Sequence, residues 1–259
     1  MTLRRPTTRR QFLAEGSVGI AGAALLPACS GEAPAVGAQP RAGRSVVRTL
    51  GKTGLALPVV SMGSSYAVNL VQTALDEGIV YIHTSSSYGE RNHERLLGEV
   101  FRTRSRDSFV VATSPDLPYR YSLGRGRSRD LGLAADPKLI ETSLDGSLKR
   151  LQVDAVDIFY LCSVGTREVQ FEPYLEAFDR VRKAGKARFI GVGTHDNEPA
   201  VIRAAIDAEA WDVVLTAYNF RQTHREDVRD AIREAATAGL GVVAMKTQAG
   251  VYWDRERTR

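Results

Sequence analysis

The sequence predicts an α/β fold, a TIM-type (β/α)8 barrel whose pattern stops after its seventh strand. Three observations lead there. From residue 46 onward, short apolar runs alternate with helical patterns, the signature of parallel β/α units. The runs are nearly continuous in apolar residues, as strands covered on both faces require. No G-x-G-x-x-G opens a helix after the first run, which counts against a doubly wound dinucleotide-binding sheet.

Each element has a local reason. "RTLGKTGLALPVVSMG" gives a small hairpin turning at Gly51 to Gly54, then a first strand near Val59 to Met62. "NLVQTALDEG" is a helix closed by Gly78, and "IVYIH" the second strand. "NHERLLGEVFR" is a helix, "FVVATS" a strand, and "PKLIETSLDGSLKRL" a helix with Pro137 near its first turn. "AVDIFYL" is a strand, followed by the helix "PYLEAFDRVRKAG", closed by Gly185. "RFIGVG" leads into the helix "EPAVIRAAIDAEA", and "DVVLTAY" into "HREDVRDAIREAATAG", which ends at Gly239. "GVVAM" is the seventh strand. A barrel of this kind closes with eight, and an open sheet leaves unpaired edges. The count therefore implies a barrel incomplete at its C-terminus, or a partner that closes it.

The first 29 residues form a leader. Paired Arg9 and Arg10 precede Phe12 and Leu13, and the short apolar run "GSVGIAGAALLPA" follows, too short for an ordinary membrane span. The pair resembles a twin-arginine export signal, whose partner is the export machinery. "LPAC" resembles a lipoprotein cleavage box with Cys29 as a lipid anchor. These features place the protein outside the cytoplasm, as a periplasmic or membrane-anchored lipoprotein. A frayed basic N-terminus with no address is the plain alternative. Residues 30–45, rich in Gly, Pro and Ala, form a flexible linker, and 46–259 the barrel domain. The leader's four arginines and one glutamate carry +3 of the chain's net +5, so little basic charge remains for nucleic acid. Of the two cysteines, lipidation of Cys29 leaves Cys162 without a disulfide partner.

"RTLGKTGL", "ALDEGIVYIHTSSSYGERNHERLLGEVF", "SLKRLQVDAVDIFYL" and "GKARFIGVGTHDN" occur in an order that resembles the aldo-keto reductase family. The resemblance covers about residues 47 to 250. It implies a (β/α)8 barrel that uses NADP(H) on small-molecule carbonyls or alcohols. It also implies a Tyr, Lys, Asp and His at the strand ends. Tyrosine is a poor acid near its usual pKa of about 10, and a nearby cation eases its ionisation. The Lys supplies that cation, the Asp holds the Lys, and the His orients the carbonyl. Carried onto this chain, Tyr88 matches the proton donor. His83 stands at the Asp position, Ser114 at the Lys position and Cys162 at the His position. On the cofactor side, Gly193 and Thr194 replace a Ser-Asn pair, Leu215 a Gln, and Met245 the aromatic that stacks on nicotinamide.

Several residues admit more than one reading. Lys246, at the end of the seventh strand, either replaces the absent catalytic cation or is a rim lysine reaching water. His83, Cys162 and His195 share one end of the strands and suit zinc or a Cys–His nucleophile pair, but without local ligand spacing no metal is assigned. Cys162 otherwise reads as a small buried hydrophobe, and His195 as a helix cap beside Asn197. His93 and His224, at helix starts, read as solvated. The insert at 118–136, with Arg120, Arg125, Arg127 and Arg129, is either an anion clamp or a mobile solvated loop. A twin-arginine route would allow the barrel to fold and load NADP(H) before export. The reading that follows is an aldo-keto-reductase-like oxidoreductase with an altered tetrad. The alternative is a noncatalytic exported barrel that binds a small anionic ligand or a protein partner.

Overall fold

A computed structural model describes residues 46–117, 120–121, 129–130 and 136–248. The expected leader, linker and Cys29 anchor, most of the arginine-rich insert, and residues 249–259 lie outside the described residues.

Strands β1 (Val47–Thr49) and β2 (Ala56–Pro58) make the predicted antiparallel hairpin. Helix α1 (Val68–Asp76) buries Val71, Ala74 and Leu75, the three- and four-residue spacing of one helix face, and gives way to Gly78 at φ 86°. Then come β3 (Tyr81–His83), α2 (Asn92–Phe101) and β4 (Val110–Thr113). Within the insert, β5 (Arg120–Tyr121) pairs antiparallel with β6 (Arg129–Asp130), a short hairpin where a plain loop was expected. Helix α3 (Lys138–Leu151) starts directly after Pro137, as predicted. Strand β7 (Val156–Cys162) is followed by a single turn, α4 (Thr166–Val169), which the sequence pattern did not reveal. The chain continues through α5 (Glu172–Lys183), β8 (Ala187–Thr194), α6 (Glu198–Asp207), β9 (Val213–Ala217), α7 (Arg225–Thr237) and β10 (Gly241–Met245).

Six strands form one parallel sheet in the order β10-β9-β8-β7-β4-β3, a half-barrel of the TIM type. The strand expected near Val59 to Met62 is reduced to a single parallel bridge, Met62 to Ile82. The cause is local: the Val59 amide donates to the Val46 carbonyl at 2.9 Å, so this segment continues the hairpin before it reaches the sheet.

The pleat sorts the apolar strand residues into two layers. Ile82, Val111, Phe159, Leu161, Ile190, Val192 and Val214 pack with the helices. Tyr81, Val110, Ala112, Ile158, Tyr160, Val213 and Leu215 face inward. Both sets are buried, which is why the strand sequences run apolar without alternation. Leu50, Leu55 and Leu57 of the hairpin join the inner layer and plug its N-terminal end. That closure depends on Gly51, at φ 51°: a Cβ there would lie 2.2 Å from the Gly241 backbone nitrogen. The C-terminal ends of the strands are left to build a site.

Candidate active site at the C-terminal strand ends

Register and alternation bring most of the predicted site residues to one place. Tyr81 and Ala112 face inward, so His83 and Ser114, two residues further along, do too. Cys162 is opposite Gly193, Gly193 opposite Leu215, and Ala217 opposite Met245. His83, Ser114, Cys162, Gly193, Leu215 and Met245 therefore line the inner face from β3 to β10. Thr194, one residue on, falls on the other face by alternation. Its hydroxyl donates to the Asp196 carbonyl at 2.7 Å and accepts the Asp196 amide at 3.3 Å, so it shapes the turn after β8.

His83 packs edge-on against two tyrosines, with ring centroids 6.2 Å from Tyr88 and 5.5 Å from Tyr160. Its Nε2 is buried without a hydrogen-bond partner. Burial, reinforced by the basic groups His195, His93 and Lys246, pushes its pKa down to about 3. At neutral pH it is an uncharged imidazole and does not act as the carboxylate it replaces. Tyr88 opens a tight turn (88–91) in which Gly89, Glu90 and Arg91 all have left-handed backbones, φ 53°, 54° and 72°. For Glu90 and Arg91 that conformation costs roughly 1–2 kcal/mol each, strain of the kind that gathers at functional sites.

Ser114 hydrogen-bonds the sulfur of Cys162, yet burial still pushes the thiol up to about 12. Burial thus favours the protonated thiol, which counts against the Cys–His nucleophile reading. The sulfur also occupies the space beside Gly193, where a Cβ would lie 2.6 Å from Sγ. One layer deeper, the Tyr81 and Tyr160 hydroxyls are 3.1 Å apart, and burial raises both phenols above their ordinary range.

Lys246 is exposed and has a left-handed backbone, φ 59°, directly after β10. His195 is half-buried, and Asn197 at the start of α6 makes no side-chain capping bond. No group of three or more His, Cys, Asp or Glu is placed to hold a metal among the described residues.

Two features escaped the sequence reading. His93, expected to be solvated, is fully buried. Its Nε2 accepts the Ser65 amide at 3.1 Å, so Nδ1 carries the proton toward Thr84 Oγ1 at 2.6 Å. Burial lowers its pKa. The i, i+4 spacing of His93 and Leu97 on a helix start was the available signal. His224 is half-exposed, but its Nε2 lies 2.9 Å from Oε2 of the buried Glu198, which also accepts from Gln222 at 2.9 Å. No spacing rule links those positions.

The fold is a parallel half-barrel of the TIM type, with the candidate site residues gathered at the C-terminal ends of its strands. The aldo/keto reductase family profile matches residues 49–258, and the chain belongs to that family. It is 26% identical over 218 residues to a D-threo-aldose 1-dehydrogenase of a Pseudomonas species, covering 74% of this chain and 66% of that protein. It is 30% identical over 215 residues to an L-galactose dehydrogenase of Arabidopsis thaliana, covering 76% of this chain and 64% of that protein. The chain thus spans slightly less than two thirds of these relatives' length. Among solved structures, an aldo-keto reductase from Klebsiella pneumoniae in complex with NADPH superposes with a TM-score of 0.61 at 23% identity, covering 81% of this chain and 71% of that one.

The strand-end residues fit the flat, apolar part of a nicotinamide. Met245 is half-buried at the inner edge beside buried Leu215, and a thioether packs well on an aromatic ring. Neither Gly193 nor Thr194 offers a free side-chain donor to a carboxamide, so that contact would fall to the backbone.

Proposed function

We propose that the chain is an NADP(H)-dependent oxidoreductase of small-molecule carbonyls or alcohols, working with a tetrad altered at three of four positions. The observation that carries this is the placement of Tyr88: it follows β3 on a strained turn and packs against the inward-facing His83. The cofactor, when bound, supplies or accepts hydride at the substrate carbon. Tyr88 gives the phenolic proton to the carbonyl oxygen, producing the alcohol, and recovers a proton from water. Leu215 and Met245 would hold the nicotinamide face. Ser114 supplies no cation to ease ionisation of Tyr88, so turnover is expected to be about 10²- to 10⁴-fold below that of an intact tetrad. In the Tyr88→Phe variant we expect turnover to fall at least 10²-fold with NADPH affinity unchanged. Unchanged turnover removes Tyr88 from the reaction.

The paired arginines and "LPAC" support export by the twin-arginine route, with Cys29 as anchor. A second reading has a specific observation behind it. The inner face around Tyr88 offers a neutral imidazole and a protonated thiol, with no acid–base pair. A noncatalytic barrel that binds a small ligand would tolerate that set, and a folded wild-type chain that binds ligand but shows no turnover would favour it.

A further inference from the structure

His83 is the most anomalous polar group in the described residues. Its Nε2 is buried and has no hydrogen-bond partner. Leaving a buried polar atom unpaired costs about 1–3 kcal/mol, and such an orphan calls for an explanation. The ring is held by packing: it stands at 88° to Tyr88 and 82° to Tyr160. Tyr160 is fixed in turn by the Tyr81 hydroxyl. A ring clamped on two sides with its Nε2 unpaired is set to meet a ligand, not to fill a core.

The charges around it select the ligand. Those acting on His83 are basic: His195, His93 and Lys246. Burial is the main reason the imidazole stays neutral, and these basic neighbours act in the same direction and disfavour a cationic ligand. A neutral imidazole offers one N–H donor, suited to an oxygen that carries partial negative charge. A carbonyl oxygen becomes such a group as hydride arrives, and a neutral imidazole can polarise a carbonyl without being an acid. At the end of β7, where the family resemblance implies a carbonyl-orienting histidine, Cys162 is protonated and hydrogen-bonded to Ser114.

We infer that the carbonyl-orienting hydrogen bond has moved in this chain from the end of β7 to the end of β3, where the His83 imidazole donates to the substrate oxygen beside the Tyr88 phenol. This rests on the oxidoreductase reading for its chemistry, but the contact itself does not need turnover. In this arrangement His83 touches the substrate and Tyr88 delivers the proton. No proton leaves the imidazole, so the step balances through Tyr88 alone.

The test uses the full chain labelled with ¹⁵N-histidine, without cofactor. Addition of cyclohexanone, a neutral carbonyl probe, is expected to shift one ring-nitrogen resonance of His83, assigned by its absence in His83→Phe. The imidazole should stay neutral from pH 5 to 8. No His83 shift at a probe concentration that saturates a fluorescence titration overturns the inference, as does a His83 that titrates near 6.5. Where turnover is measurable, His83→Phe should lose at least 10²-fold in kcat/KM. His83→Gln, which keeps a donor, should lose about 10-fold, with no limb near pH 6.5 in the wild-type profile. Equal losses in the two variants, with both folded by circular dichroism, also overturn it. Failure of NADPH to bind while the His83 resonance still moves would reject the oxidoreductase reading and leave the carbonyl contact standing.

Discussion

Replacing Gly193 with alanine tests how β7 and β8 share space at the site. The added Cβ would lie 2.6 Å from Cys162 Sγ, against an ordinary contact that begins at 3.4 Å, so the sulfur must retreat by about 0.8 Å. It has little room. Cys162 is 8% exposed, Ser114 holds the sulfur, and Tyr160 fills the layer below. Overpacking of this kind costs about 1–3 kcal/mol, or a fall in Tm of roughly 2–12 °C for a domain of this size. Cys162→Ala alone should cost on the order of 1 kcal/mol, because it removes a small buried group. The double variant places the new methyl in the space the sulfur left. A coupling of about 1–2 kcal/mol in favour of the double variant is therefore expected, read from urea unfolding of all four proteins. Additivity within about 0.5 kcal/mol would show that the two side chains do not compete for that space.

Two other predictions concern stability. Between pH 6.5 and about 3 the unfolded chain protonates the imidazole of His83 while the folded chain does not, so stability falls as pH drops through that window. The slope should approach about 1.4 kcal/mol per pH unit, with His93 acting in the same direction. His83→Asn should flatten the slope, and an unchanged slope in urea unfolding across that range contradicts the assignment. Glu94 is buried and accepts from Thr113 at 2.7 Å and from Arg150 Nε at 2.7 Å, tying α2 to β4 and α3. Glu94→Ala leaves Arg150, whose side chain is 17% exposed, without that partner and should cost about 3–5 kcal/mol in the same assay. A loss below 1 kcal/mol would mean that water replaces the pair.

The order of strands and helices was legible because each run ends on a residue with a physical reason to end it. Gly78, Gly185 and Gly239 take the left-handed turns after α1, α5 and α7 that other residues resist. The first strand was misjudged because β-branched Val59 and Val60 read the same whether they pair with the sheet or prolong a hairpin. The site positions were legible through the family resemblance, which picked out His83, Ser114, Cys162, Gly193 and Leu215, and the sheet register sets them on one face. What the sequence withheld was partnership across long separations. The Ser65–His93–Thr84 chain and the Glu198–Gln222–His224 cluster join residues from separate loops, and no local pattern announces them. His93 was misplaced for that reason: a histidine at a helix start looks solvated until the loop that covers it is known.

The most direct measurement of whether this barrel serves as an oxidoreductase is titration of the purified chain with NADPH, followed by tryptophan fluorescence. Saturable binding at micromolar concentration, weakened in a Met245→Asp variant that places a charge against the nicotinamide face, is the expected result. A folded chain that shows no NADPH binding would contradict it.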